Sequence, residues 1–292
     1  MDIGAIIFDP LKALFSKPSC FLPMMVFTVV FTFVFIALLF SSIALPPIGI
    51  THSSVSANSL STTVLAVVLI ALIAACLIAP LLVGVYISLS SQFRTGKQLS
   101  LNAAIARAKQ KYLSLLGANL LAGLILVAVI GGLYAILYGI SMLSLGILGI
   151  LLLLIVVLLM IAAFVALGII FFQMNAVIVI EDKNAIQGIK RSIEIGKKNP
   201  WSVLGTILLI VVLNFVLSLV LGFIVEILSL PFMLGGVLAV LAVYFMLTGI
   251  VAGALTAWFV MVPGTFYYSY VAKLPAAPSA AKPQTPTTPR KN

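Results

Sequence analysis

The stretch LGILGILLLLIVVLLMIAAFVALGIIFF, residues 145–172, contains no charged side chain and decides the class of fold. An α-helix needs about 20 apolar residues to cross the roughly 30 Å hydrocarbon core of a bilayer. This stretch exceeds that length. It must be helical, because backbone N–H and C=O groups in lipid have to be satisfied within the segment. The sequence therefore predicts a membrane-spanning helix here.

The composition extends this prediction to the whole chain. Of the 292 residues, 63% are hydrophobic and 8% are charged, whereas soluble domains are about 25% charged. The predicted spans are Cys20 to Ile43, Val64 to Ser90, Ser114 to Tyr138, Leu145 to Phe172, Trp201 to Leu228, and Phe232 to Val262. The predicted fold class is an all-α polytopic membrane helix bundle. Its six transmembrane helices form three hairpins, each preceded by an amphipathic interfacial helix.

The basic residues indicate how the chain is threaded. The connections at residues 44–63, 139–144 and 229–231 contain no lysine or arginine, so all 16 basic residues fall on the other side of the predicted spans. Lysine and arginine near spans are retained in the cytoplasm during insertion. The sequence therefore predicts a plasma-membrane protein with both termini in the cytoplasm. Residues 1–271 form the predicted membrane domain, and the Pro-rich residues 272–292 form a disordered cytoplasmic tail.

Amphipathic segments precede the odd-numbered spans. In residues 185–198 the apolar side chains share one helical face and the basic side chains the opposite face. Residues 101–112 and 3–16 show the same pattern, and Pro10 is predicted to start a new helical turn with Asp9 as its cap. Such helices can lie in the headgroup layer against anionic lipid or pack on the bundle with their charges solvated, and the two roles are not exclusive. The residues predicted to contact anionic lipid are Arg107, Lys109, Lys111, Lys190, Arg191, Lys197 and Lys198.

Polar and small residues inside the spans form a second group of candidates. Asn119 and Asn214 are predicted to make interhelical hydrogen bonds, or, together with Ser218, to line a solute path. Glu226 is predicted at the outer interface, with a buried ion or proton site as the alternative. A seam of small residues lets helices approach closely, and a packing role within the bundle is predicted for it. The seam consists of Gly249, Gly253 and Ala257.

The sequence contains few residues suited to catalysis. The single histidine, His52, has no cysteine or acidic neighbour in its predicted loop, and no nucleophile, phosphate-loop or zinc motif is present. We therefore expect no enzyme activity, no metal and no cofactor. A lipid-modifying enzyme would have to use Glu181, Asp182 and Glu194. The expected partners are membrane lipids, anionic lipids included, and not nucleic acid, while a protein partner or homo-oligomer is left open.

Two sequence similarities accompany these patterns. A shift of 88 residues aligns Ser114 with Ser202 and Gly117 with Gly205, which suggests parallel repeats. The segments VIVIE at 177–181, AIQGIKRSIE at 185–194 and NPWSVLG at 199–205 follow one another in the third unit.

Through these segments the chain resembles a family of prokaryotic six-helix membrane proteins. That family includes the membrane domain attached to some glycerophosphodiester phosphodiesterases and stand-alone proteins of unknown function. The resemblance implies the architecture, and because no phosphodiesterase domain is expected here, it implies no catalytic activity. The predicted function is non-enzymatic organisation of lipid or partner proteins at the inner leaflet, with a small-solute transporter or channel as the alternative.

Overall fold

The computed structural model describes residues 3–43, 57–142, 146–229 and 237–272, and every element within these ranges is helical. A 3₁₀ turn over Pro18–Phe21 joins the first two helices, and a π-helical turn over Tyr267–Val271 extends the last one. The α-helices are α1 Ile3–Ser16, α2 Leu22–Ile43, α3 Ala57–Arg94, α4 Leu101–Met142, α5 Gly146–Phe171, α6 Met174–Ile180, α7 Ala185–Lys198, α8 Pro200–Ser229 and α9 Val237–Phe266.

The long helices match the predicted membrane class. Among the described residues, α3, α4, α5, α8 and α9 are each long and apolar enough to cross a membrane, and the α1 and α2 pair, bent by 110°, adds a sixth candidate. The predicted all-α bundle of membrane-length helices is confirmed. The connections at 44–56, 143–145 and 230–236, His52 and the tail from residue 273 lie outside the described residues.

The basic segments predicted from the sequence lie together at one end of the bundle. An ion pair joins Asp9 of α1 to Arg94 at the end of α3, and another joins Arg107 near the start of α4 to Asp182 after α6. We call this part of the molecule the charged end: α1, the last turn of α3, residues 97–112, α6, α7 and the π-helical turn. Because successive long helices run in opposite directions, segments distant in sequence meet there.

The helix α1 is continuous through Pro10, which corrects the prediction that Asp9 caps a new turn there. Proline has no N–H, so the carbonyl of Ile6 lacks its usual helical donor. The hydroxyl of Thr265 donates to this oxygen at 2.9 Å, and the indole N–H of Trp258 donates to the Ile7 carbonyl at 2.7 Å. The end of α9 therefore supplies hydrogen bonds to α1 next to its proline.

The second predicted amphipathic helix is not a separate element. Residues 101–112 are the first turns of α4, which runs through to Met142 without a break. No proline interrupts this stretch, whereas Pro18 follows α1 and Pro200 follows α7. Proline disfavours helical backbone in the residue before it. The chain therefore turns before Pro18 and before Pro200, whereas α4 continues through residue 112 into the span. The short buried helix α6 was not predicted at all.

The helix α7 packs its apolar side on protein. Its N-terminus is capped by Asn184, whose side chain accepts from the N–H of Gln187 at 2.9 Å. Ile189 and Ile195 are buried, and a Cβ at Gly188 would collide with the side chain of Ile178 in α6. Of the two roles that the sequence left open for this apolar face, the structure shows packing on the bundle.

Candidate functional site

The most buried ion pair of the described chain holds three elements together at the charged end. Arg94 donates to the Asp9 carboxylate at 2.6 Å, and these side chains are only 1% and 6% exposed. A second guanidinium nitrogen of Arg94 donates to the Ser269 hydroxyl at 2.8 Å. The pair therefore links α1, α3 and the π-helical turn at a place where neither charge reaches water.

A second network surrounds Asp182, which connects α6 to α7 with a positive φ of 63°. Its carboxylate contacts Lys111 at 2.5 Å and Arg107 at 3.1 Å. The hydrogen bond from Lys111, with the charges of Arg107 and Lys111, lowers the pKa of Asp182. Because the folded-state pKa is lowered, the contribution of this carboxylate to stability is present at neutral pH and is lost as the pH falls through that pKa.

The remaining acidic residues of the charged end are also paired. Arg191 lies 3.3 Å from the carboxylate of Glu181 and 2.9 Å from that of Glu194. The hydroxyl of Tyr267 donates to Glu181 at 2.8 Å. All three acids that the enzyme alternative required, Glu181, Asp182 and Glu194, are thus engaged in ion pairs with arginine or lysine.

The seven residues predicted to contact anionic lipid divide into two groups. Arg107, Lys111 and Arg191 are the ones engaged in these ion pairs. The other four have exposed side chains and no acidic partner within the described ranges. They are Lys109, Lys190, Lys197 and Lys198.

Large exposed apolar side chains lie close in sequence to these four lysines. Leu113 is 79% exposed one helical turn after Lys109, and Ile186 is 60% exposed one turn before Lys190. Trp201, three residues after Lys198, is 82% exposed. Tryptophan favours the boundary between hydrocarbon and water. The surface therefore combines unpaired positive charge with side chains suited to an interface.

A polar pocket of about 420 Å³ opens at the charged end between α3, the start of α4 and the end of α6. Ser91, Gln92 and Thr95 of α3 and the turn after it form one wall, Arg107 of α4 a second, and the turn between the two helices contributes Lys97 and Gln98. None of the described lining residues is acidic. Sequence reasoning missed this pocket, because its walls come from three helices and no single segment contains its pattern.

The intramembrane polar candidates are not brought together. The Asn119 amide donates to the Asn175 side chain at 3.0 Å, which joins α4 to α6. Asn214 is exposed on α8 and accepts from Ser218 of the same helix at 3.1 Å. Glu226 is exposed on α8 as well. These positions do not line a common path within the described bundle, and Asn175, the partner that Asn119 does have, was missed.

We expect Asn119→Leu to destabilise the protein more than Asn214→Leu. The first substitution removes an interhelical hydrogen bond worth about 0.6 to 1.7 kcal/mol and leaves Asn175 without its partner. The second removes only a contact within α8 and replaces an exposed amide by an apolar side chain. Unfolding of both purified variants in mixed micelles measures the difference, and an equal or larger loss for Asn214→Leu would contradict it.

The small-residue seam of α9 lies against α2. A Cβ at Gly249 would lie 3.0 Å from the Val29 Cα, and a Cβ at Gly253 would lie 2.6 Å from the Met25 Cα. Ala257, one turn further, is completely buried. The backbones of α2 and α9 therefore approach each other closely along this seam.

Within the described residues, an all-helical bundle with five membrane-length helices, or six if the bent α1 and α2 pair counts as one span, places the chain among multi-pass helical membrane proteins. The chain belongs to the family described as Domain of unknown function (DUF7847), whose model matches residues 1–273. No curated protein and no solved structure matches it.

Proposed function

We propose that this protein is a non-enzymatic membrane protein that binds and organises anionic lipid at the inner leaflet of the plasma membrane. Its charged end faces the cytoplasm, and both termini lie on that side. The observation that carries the proposal is the pairing pattern at the charged end. Asp9, Glu181, Asp182 and Glu194 are already held by arginine or lysine, so the exposed lysines lack counter-ions from the described protein.

Anionic headgroups would supply those counter-ions. Each lysine near an anionic surface contributes about 1 kcal/mol of binding free energy. Lys109, Lys190, Lys197 and Lys198 together would therefore favour anionic over zwitterionic lipid by up to about 4 kcal/mol, which is nearly a thousandfold. The exposed apolar groups of Leu113, Ile186 and Trp201 would insert beside the headgroups that the lysines hold.

The transporter alternative has less support from the described residues. Asn214, Ser218 and Glu226 face away from the bundle, and Asn119 is hydrogen bonded to Asn175. The resemblance to the membrane domain attached to some glycerophosphodiester phosphodiesterases remains a prediction, and it supplies no catalytic residues. The chain has a formal net charge of +10, and its basic residues would bind lipid and not nucleic acid.

The test uses Trp201 as a reporter. The chain contains two tryptophans, and Trp258 is 5% exposed whereas Trp201 is 82% exposed. In reconstituted vesicles, energy transfer from tryptophan to dansyl-labelled phosphatidylglycerol should exceed transfer to dansyl-labelled phosphatidylcholine. Replacing the four exposed lysines by glutamine should lower the excess of phosphatidylglycerol around the protein at least tenfold.

The control removes the same amount of charge elsewhere. It carries glutamine at Lys273, Lys282, Arg290 and Lys291, and we expect it to keep most of the preference. Equal transfer to both lipids in the unmodified protein would overturn the proposal. So would equal losses in the two quadruple variants, because the effect would then come from net charge alone.

A further inference from the structure

We infer that the pocket between α3, α4 and α6 is a binding site for a phosphate group that carries hydroxyl substituents, such as a glycerophosphate. The inference rests on the proposed function and deepens it, because it names one pocket beside the general lysine surface. The ligand chemistry would be shared by a phospholipid headgroup and by a free phosphate ester.

The charge of the pocket favours an anion. The Lys97 side chain is exposed and has no partner among the described residues, and the Arg107 guanidinium forms part of the wall. The one carboxylate in contact with Arg107 is that of Asp182, and it is shared with Lys111. Lys97 and Arg107 are the cations of the wall, and no described lining residue is acidic, so the pocket attracts an anion and repels a cation. Arg107 is also held by Asp182 and by the Val179 carbonyl, which leaves Lys97 as the lining cation without a partner among the described residues.

The start of α4 adds to this attraction. Ala103, in the first turn of α4, lines the pocket. The N-terminal turn of a helix carries a partial positive charge. The Ala103 N–H donates to the Ser100 hydroxyl at 3.4 Å, so the attraction at this wall comes from the helix dipole. Phosphate groups bind readily at such positions when cationic side chains are also present. Here Lys97 and Arg107 flank that turn along the chain and line the same pocket.

Two of the remaining lining groups suit hydroxyl substituents, namely Thr95 and Gln98. The Thr95 hydroxyl donates to the Ser91 carbonyl, so its oxygen is left to accept from a ligand hydroxyl. The Ser91 hydroxyl and the Gln92 amide are already hydrogen bonded, to Tyr268 and to Ser100. The Gln98 side chain is exposed and has no partner within the described residues. A volume of about 420 Å³ lies in the range of small-molecule sites and accommodates a headgroup of glycerophosphate size.

The decisive variant places a negative charge in the pocket without disturbing the fold. Ala103 is exposed, and aspartate in a first helical turn is favourable for the helix, so Ala103→Asp should fold. Asn102→Asp is the matched control. It adds the same charge one residue earlier in the same turn, at an exposed position that does not line the pocket. Lys97→Gln, at an exposed position, is the second test variant and should also weaken binding.

Titrations with two ligands distinguish a phospholipid headgroup from a free phosphate ester. The full chain in neutral detergent is titrated with glycerol 1-phosphate at constant ionic strength, and the full chain in nanodiscs is titrated with phosphatidylglycerol against phosphatidylcholine. We expect saturable binding of at least one. Binding of glycerol 1-phosphate assigns the site to a soluble ester or to the isolated headgroup, whereas saturable binding of the lipid alone assigns it to a lipid. Ala103→Asp should weaken the binding at least tenfold and Asn102→Asp less than twofold.

Absence of saturable binding in both titrations would overturn the inference, as would equal weakening by the two aspartate variants. The result is separable from the lipid proposal. The quadruple lysine variant leaves the pocket residues intact, so it should keep the saturable site while it loses the general preference for anionic lipid. A protein that kept its lipid preference but lacked the saturable site would refute only the pocket.

Discussion

We expect Asp9→Ala to lower the free energy of unfolding by about 3 to 5 kcal/mol, because removing one partner of a buried ion pair strands the charge of the other. The substitution leaves the Arg94 guanidinium buried, with a side chain only 1% exposed, and without its carboxylate. The hydrogen bond to Ser269 would remain, but a hydroxyl cannot neutralise the charge. Unfolding of the purified protein in mixed micelles of an ionic and a neutral detergent measures the loss.

The double variant Asp9→Leu with Arg94→Met separates the cost of an unpaired charge from the value of the pair. Replacing both partners of a buried ion pair by apolar side chains of similar size is often close to neutral. We therefore expect the double variant to recover most of the stability that Asp9→Ala loses. If the double variant were as unstable as the single one, the ion pair itself, and not the stranded arginine, would be the main source of stability.

We expect Gly253→Ala to destabilise the bundle by about 1 to 3 kcal/mol through overpacking. The added Cβ would lie 2.6 Å from the Met25 Cα and 3.0 Å from the Met24 carbonyl oxygen. Both are backbone atoms of α2, so no rotamer change relieves the contact. The α2 backbone is also held in place, because the buried Tyr86 hydroxyl accepts from the Met24 N–H at 3.1 Å.

Gly205→Ala is the matched control for this substitution. A Cβ at Gly205 of α8 meets no atom within 4 Å. Alanine is the better helix former by up to about 1 kcal/mol, so this variant should be neutral or slightly more stable. The two glycine variants should therefore change stability in opposite directions when unfolding is measured under the same conditions. Equal effects would show that the α2 and α9 seam is not closely packed.

The spans could be predicted from sequence because their signal is local. An uncharged run such as residues 145–172 can be recognised without knowing what surrounds it. Because backbone groups in lipid must be hydrogen bonded within the segment, such a run can also be predicted to be helical. The continuity of α4 could also have been predicted from the sequence. No proline separates residues 101–112 from the span that follows, unlike the boundaries at Pro18 and Pro200.

The polar contacts at the charged end depend on tertiary structure and were missed for that reason. Asp9 and Arg94 are 85 positions apart, and nothing in either local segment indicates the other. The same holds for Thr265, whose hydroxyl donates to the Ile6 carbonyl in place of the N–H that Pro10 lacks. Sequence reasoning treated the basic residues as one set, whereas the fold engages Arg107, Lys111 and Arg191 in ion pairs and leaves four lysines without acidic partners in the described ranges.

The arrangement of the charged end on one side of the membrane is most directly tested by cysteine labelling. Cys20 and Cys76 are free thiols and are first replaced by alanine. Single cysteines are then introduced at Lys97, Lys190 and Ser54, and a membrane-impermeant maleimide is added to intact and to permeabilised cells. We expect Ser54→Cys to react in intact cells, and Lys97→Cys and Lys190→Cys to react only after permeabilisation. Labelling of positions 97 and 190 from opposite sides, or of 54 and 190 from the same side, would contradict the proposed threading.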